Sequence, residues 1–156
     1  MRTRQSGTTT IEFAIIGSLL FMVIFGIVEI GRALFVWNTV AEVTRRGARV
    51  AAVCPPNHAG VARTAIFDDP GGSGDSPVLN NLSVANIQVN YLDANGDNTG
   101  GAFPIDYVRV SVVNYQHTLL IPLLPVTLNV PAFATTLPAE SLGYIPELGA
   151  RQCFGS

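Results

Sequence analysis

Lysine is absent: all nine basic side chains are arginine, against eleven acidic ones in 156 residues. Residues 54–156 carry three Arg against eight acids, so no basic face is available for a phosphate backbone and no nucleic-acid partner is expected. Histidine is nearly absent too. His58 and His117 stand outside any G-x-S-x-G context, no phosphate-binding glycine loop occurs, and the Asp68-Asp69 pair has no second catalytic component nearby. Accordingly no catalytic residue, cofactor or small-molecule substrate is expected. Cys54 and Cys153 are the only cysteines; with two histidines and no close ligand pair they do not form a zinc motif. They leave two alternatives, one disulfide or two free buried thiols. Also missing is a small-x-small cleavage site behind the apolar run, where EIGRALFVW follows, so an ordinary secretory signal peptide is not expected. The length suits one modest domain with an accessory segment.

What the chain does have is a long uncharged stretch near its start. Residues 13–28 contain no charge, and counting back to Thr8 gives a segment that as a helix is about 31 Å long, enough to cross a hydrocarbon core. Arg2 and Arg4 precede it, and the positive-inside tendency holds that end in the cytoplasm and sends the remainder across. A plain signal anchor accounts for all of this except Glu12. A carboxylate at the edge of a membrane costs roughly 2 to 3 kcal/mol and asks for a partner. A cut after Gly7 would supply one: Thr8 becomes the first residue, Glu12 the fifth, and an ammonium and a carboxylate in a low-dielectric layer relieve each other's desolvation.

A short basic leader, Gly7 at the cut, and Glu12-Phe13 opening an apolar helix resemble the processing site of type IV pilin precursors. Farther along, Glu12-Phe13-Ala14, then Glu29 with Gly31-Arg32, then Arg46-Gly47-Ala48-Arg49 look like the N-terminal signature of the TadE-like proteins, pseudopilins or minor pilins of the tight adherence (Flp) pilus. The resemblance covers about a third of the chain; the rest is similar only in outline, as a small β-containing head. It implies removal of the leader by a prepilin peptidase, a bacterial inner-membrane location with a periplasmic head, and incorporation into an extracellular pilus as a further possibility of the family. The implied partners are the membrane, that peptidase, other pilin and pseudopilin subunits, and the assembly platform. Flp-type major pilins end soon after their helix, whereas this chain continues, which points to an accessory subunit.

The second half of the helix reads as amphipathic. Ile30, Leu34, Trp37, Val40 or Ala41, Ala48 and Ala51 or Ala52 recur at helical spacing, with Glu29, Arg32, Glu42, Arg45, Arg46 and Arg49 on other faces. Glu42 is expected to pair with Arg46 four residues on. Cys54-Pro55-Pro56 ends the element, because proline disfavours helix in the residue before it and cannot donate to the ladder. Gly17, Gly26 and Gly31 read either as points of close helix approach or as ordinary glycines of a membrane helix. Trp37 reads as an interfacial or core anchor.

Residues 54–81 are rich in turn formers, with DDPGGSGDSP at 68–77 and a short helical turn near 61–67. Ile87, Val89 and Tyr91, then Val108, Val110 and Val112, alternate with polar residues and predict two strands with one buried face. Between them Asp93, Asn95 and Asp97 fit the first positions of a calcium loop, but Asn98 and Pro104 occupy the positions that need Gly and a bidentate Glu. A hairpin loop with Asn-Gly chemistry is the expected reading, and this trio is at most a weak metal candidate. The proline-spaced segment after His117 predicts one or two short or edge strands, and 119–126 is expected to pack on the amphipathic helix half.

The expected fold is α+β: a pilin-like N-terminal helix, transmembrane in its first half and amphipathic in its second, packed on a small antiparallel sheet. The expected divisions are 1–7 leader, 8–53 assembly helix, 54–81 connection and 82–156 head. The competing reading is an uncleaved, signal-anchored binding module using 119–126 or the Asp93 loop as its surface.

Overall fold

The computed structural model describes residues 8–120 and 127–154. The expected leader, with Gly7, and most of the 119–126 stretch lie outside the described residues. One helix, α1 (Thr8–Val53), runs 46 residues, about 69 Å at 1.5 Å per residue. Its first part touches no core: the apolar window long enough to cross a membrane has 0% of its residues buried within the chain. The other part carries the head. Val36, Thr39, Val40, Val43, Thr44, Gly47, Ala48, Ala51 and Ala52 are buried, each three or four residues from another member as one helical face requires.

This stripe contains Val40, Ala48, Ala51 and Ala52 of the pattern read in the sequence and departs from it at the start. Ile30, Leu34 and Trp37 remain 64%, 56% and 48% exposed, and burial begins only at Val36. The helix is apolar on several faces there, so periodicity alone leaves open which face the head covers. Trp37 still makes an edge-on contact with Phe133, ring centres 6.2 Å apart.

After the helix, α2 (Ala59–Ala65) forms about two turns within the connecting segment, and His58 caps it by accepting the Gly60 N–H at 3.1 Å. Strands β1 (Ile87–Leu92) and β2 (Tyr107–Val112) pair antiparallel, as their alternation predicts. Strand β5 (Ala134–Pro138) pairs with the other side of β2, making a three-stranded sheet of order β1-β2-β5. Pro138 is the last residue of this edge strand, a position where a missing N–H costs nothing in the ladder. Two small hairpins complete the head: β3 (Gln116–Thr118) with β4 (Thr127–Asn129), and β6 (Tyr144–Ile145) with β7 (Ala150–Arg151).

The sheet lies across α1. Val108 and Val110 are fully buried, and each such aliphatic side chain contributes about 1.5 to 3 kcal/mol on leaving water. One hydrophobic cluster gathers Val40, Val43, Ile66, Leu82 and Tyr115; another gathers Ala48, Ala51, Val61, Tyr91, Val108 and Val110. Gly47 marks the closest approach, since a Cβ there would stand 2.9 Å from Val110 Cγ1 and 3.0 Å from the Ala65 Cβ. Thr44 and Thr135 hydroxyls meet across the same helix-sheet contact at 2.8 Å.

Helix α1 ends without a glycine cap, and its last carbonyls find partners in the tail. Ala52 O accepts the N–H groups of Glu140 at 3.0 Å and Leu142 at 3.3 Å. Next to that junction Cys54 and Cys153 form a disulfide, Cα atoms 5.3 Å apart and 99 residues apart in the chain.

Candidate functional site

The residues singled out in the sequence fall into three places along α1. Glu12 and Phe13 lie on the bare first part. Phe13 is 78% exposed, and among the described residues no hydrogen bond or ion pair reaches the Glu12 carboxylate. Thr8 opens the helix a turn before it. Within one chain, then, the carboxylate has no described partner, and the apolar side chains around it have no cover.

The second place is the boundary between bare and packed helix. Glu29 directly follows the uncharged stretch, and Arg32, one turn on, donates to both its carboxylate oxygens at 2.7 and 3.0 Å. Such a spacing puts both side chains on one face. The head adds the rest: the Leu120 N–H donates to Glu29 Oε1 at 3.2 Å, and His117 Nε2 stands 3.7 Å from the same oxygen. Glu29 keeps only 13% of its side chain exposed and His117 only 9%. His117 Nε2 has no hydrogen-bond partner among the described residues. A charge at a membrane edge is costly alone, and here a guanidinium and a backbone N–H both satisfy it. Glu29 and Arg32 were singled out in the sequence as signature residues, though not as a pair. His117 and Leu120 were not, because the Leu120 contact joins residues 91 apart in the chain.

The third place is Arg46-Gly47-Ala48-Arg49. Gly47 and Ala48 are buried in the seam with the sheet, while Arg49 points to solvent. Arg46 lies over the Phe67 ring at 5.2 Å and does not pair with Glu42 as expected. Glu42 instead has Arg45 at 4.0 Å, both side chains largely in water, a geometry that contributes little. The aromatic face of Phe67, brought up by the turn after α2, is the competitor that took Arg46. Gly31, like Gly17 and Gly26, has open space where a Cβ would go, so within this chain none of them serves a close approach.

The Asp93 loop is occupied by its own backbone. Asp93 Oδ1 accepts the N–H groups of Asn95 and Asp97, each at 2.9 Å, and the Asp97 N–H foremost holds the carboxyl below the usual carboxylate range. Asn95 and Asp97 thus serve an Asx turn that closes the β1-β2 hairpin. Among the described residues no group of three or more His, Cys, Asp or Glu could hold a metal.

Of the 119–126 stretch only Leu119 and Leu120 are described: both line a groove with Phe21, Met22, Phe25, Ile30 and Ala33 of α1, and Leu120 also borders a second cavity with Arg32, Phe35 and Val36. The hydrogen bond from Leu120 to Glu29 holds the chain there. Residues 121–126 lie outside the described residues.

Residues 7–49 match the model of a family described as TadE-like protein. The match takes in Gly7, Thr8, Glu12, the Glu29-Arg32 pair and the Arg46–Arg49 stretch. No significant match is found among curated proteins or solved structures.

Proposed function

We propose that this chain, TadE-like over residues 7–49, is a structural minor pilin or pseudopilin that takes part in assembling or priming a tight adherence pilus. It is made as a precursor, inserted with its basic end in the cytoplasm and its head in the periplasm, and cut after Gly7 by a prepilin peptidase. Glu12 then offsets the ammonium of Thr8 or of a neighbouring subunit's first residue, which is the partner a carboxylate in this layer requires. Its partners are other pilin and pseudopilin subunits and the assembly platform.

The observation that carries this reading is the division of α1. About half of one continuous helix is clothed by the chain's own head, while the half bearing Glu12 is apolar and bare. A helix in that state needs lipid before assembly and other subunits after it, and filament subunits exchange one for the other.

Intact mass and N-terminal sequencing of the protein from its own host membrane test the processing step. A first residue of Thr8 is expected; a first residue of Met1 would remove Glu12's proposed partner and the reading with it. A Glu12→Ala variant should still be cut, and should fail to support piliation.

A further inference from the structure

We infer that His117 is a proton-operated clasp between the head and α1: when its imidazole takes a second proton, Nε2 becomes a third donor to the Glu29 carboxylate and draws strand β3 onto the helix. The inference concerns the junction just past the uncharged stretch and does not depend on the pilus reading.

The geometry supplies the parts. His117 Nε2 is buried, has no hydrogen-bond partner among the described residues, and stands 3.7 Å from Glu29 Oε1. A buried nitrogen without a partner is uncommon in a folded protein and calls for a reason. Its nearest charged neighbour is undersupplied on the side that faces it. Arg32 Nη1 holds Oε2 at 2.7 Å, while Oε1 has two longer contacts, to the same Nη1 at 3.0 Å and to the Leu120 N–H at 3.2 Å. A carboxylate has about four lone-pair sites, so another donor can be accepted there. Closing the gap by about 0.9 Å brings Nε2 to the roughly 2.8 Å of a charge-assisted bond.

Few other charges compete. From α1 the imidazole meets Glu29 and Arg32; segment 78–81, across the adjoining cavity, brings Asn80 and Asn81 and no charge. Strand β4 sets Leu128 opposite His117, and Tyr115 on β3 itself gives its hydroxyl to Asn80 O. Between His117 and Glu140 the sequence contains no ionisable side chain. Arg32 repels an imidazolium and Glu29 attracts it. Exposure decides between them: the Arg32 side chain is 39% exposed, so water weakens its field, whereas Glu29 is 13% exposed and faces the imidazole in the drier part of the junction. Histidine is the side chain suited to such a device, because its charge changes within the range of ordinary aqueous pH.

The test follows the full chain in phosphatidylcholine nanodiscs by NMR from about pH 5 to about 8. Ring signals of His117 are told from those of His58 with a His58→Asn chain, which keeps a capping oxygen for α2. Hydrogen exchange of the Leu120 amide, corrected for its intrinsic pH dependence, should slow about tenfold as His117 becomes charged, the scale of one bond to a charged group. Glu29→Gln keeps an acceptor for Leu120 and removes the charge; the amide should then lose its pH dependence while His117 still titrates. His117→Gln, which can donate at every pH, should abolish the dependence as well. Leu120 exchange that ignores the titration of His117, or that still follows pH in Glu29→Gln, overturns the clasp. So does an equal slowing of the Val110 amide in the central strand, which would report the whole fold, and so does a His117 ring that does not titrate in this range.

Discussion

Tyr91 shows how one side chain in the head serves both packing and polarity. It is 1% exposed, and its hydroxyl accepts the Asn57 N–H at 3.2 Å, closing the turn that follows the disulfide cysteine. Burial pushes its phenol above the ordinary value of 10.0, outweighing the opposing effect of that N–H, and burial does the same to Tyr115. A neutral phenol held in the folded state while the unfolded phenol ionises means that the native state binds more protons above about pH 10. The contribution of both residues is therefore fully present at neutral pH and is lost as pH rises from about 10 through the folded values. Urea midpoints of the detergent-solubilised chain carrying His117→Gln should be level between about pH 6 and 9 and fall above 10. Tyr91→Phe should flatten that fall, and should cost about 1 kcal/mol at pH 7 because the Asn57 N–H loses its acceptor. An alkaline slope unaltered by the substitution would show that other groups carry it.

At the scale of elements, α1 is one continuous helix with two solvents. Its upper part is made for contact at short range: Gly47, Ala48, Ala51 and Ala52 let the sheet come close, and Val108 and Val110 fill the seam. Gly47→Leu improves helix propensity by somewhat under 1 kcal/mol, yet places its Cβ within 3.0 Å of Ala65 and Val110. Both neighbours are short side chains with little room to swing aside. Overpacking costs of about 1 to 3 kcal/mol should therefore win, lowering the urea midpoint of the head. Gly31→Ala, with nothing within 4 Å of the added carbon, should leave that midpoint unchanged. The two glycines look alike in the sequence, each inside a helical run; only the sheet distinguishes them.

For the molecule as a whole, the tail acts as a clamp. Residues 140–142 cap the last carbonyls of α1, and the Cys54-Cys153 bridge holds the chain end at the same corner. A bridge between residues 99 apart constrains the unfolded chain strongly, by on the order of 4 kcal/mol in the chain-entropy model. The double variant Cys54→Ala/Cys153→Ala should lose about that much stability in urea unfolding, and reducing agent should have no further effect on it. A midpoint equal to that of the oxidised parent would show that the tail's hydrogen bonds suffice.

Sequence alone determined what is local. The extent of α1 follows from an uninterrupted helical run ended by Pro55 and Pro56, and its membrane-like first part from the absence of charge between Glu12 and Glu29. Strands β1 and β2 follow from alternation, and the family signature from residue types at fixed spacing along one element. Tertiary structure decided what depends on distant partners. It chose the face beginning at Val36 over the one through Ile30, Leu34 and Trp37, since a helix apolar on several sides has no preferred side until a sheet covers one. It gave Arg46 to Phe67 and set His117 and Leu120 against Glu29. A period constrains neighbours three or four residues apart, whereas contacts across ninety residues exist only once the sheet has brought them to the helix.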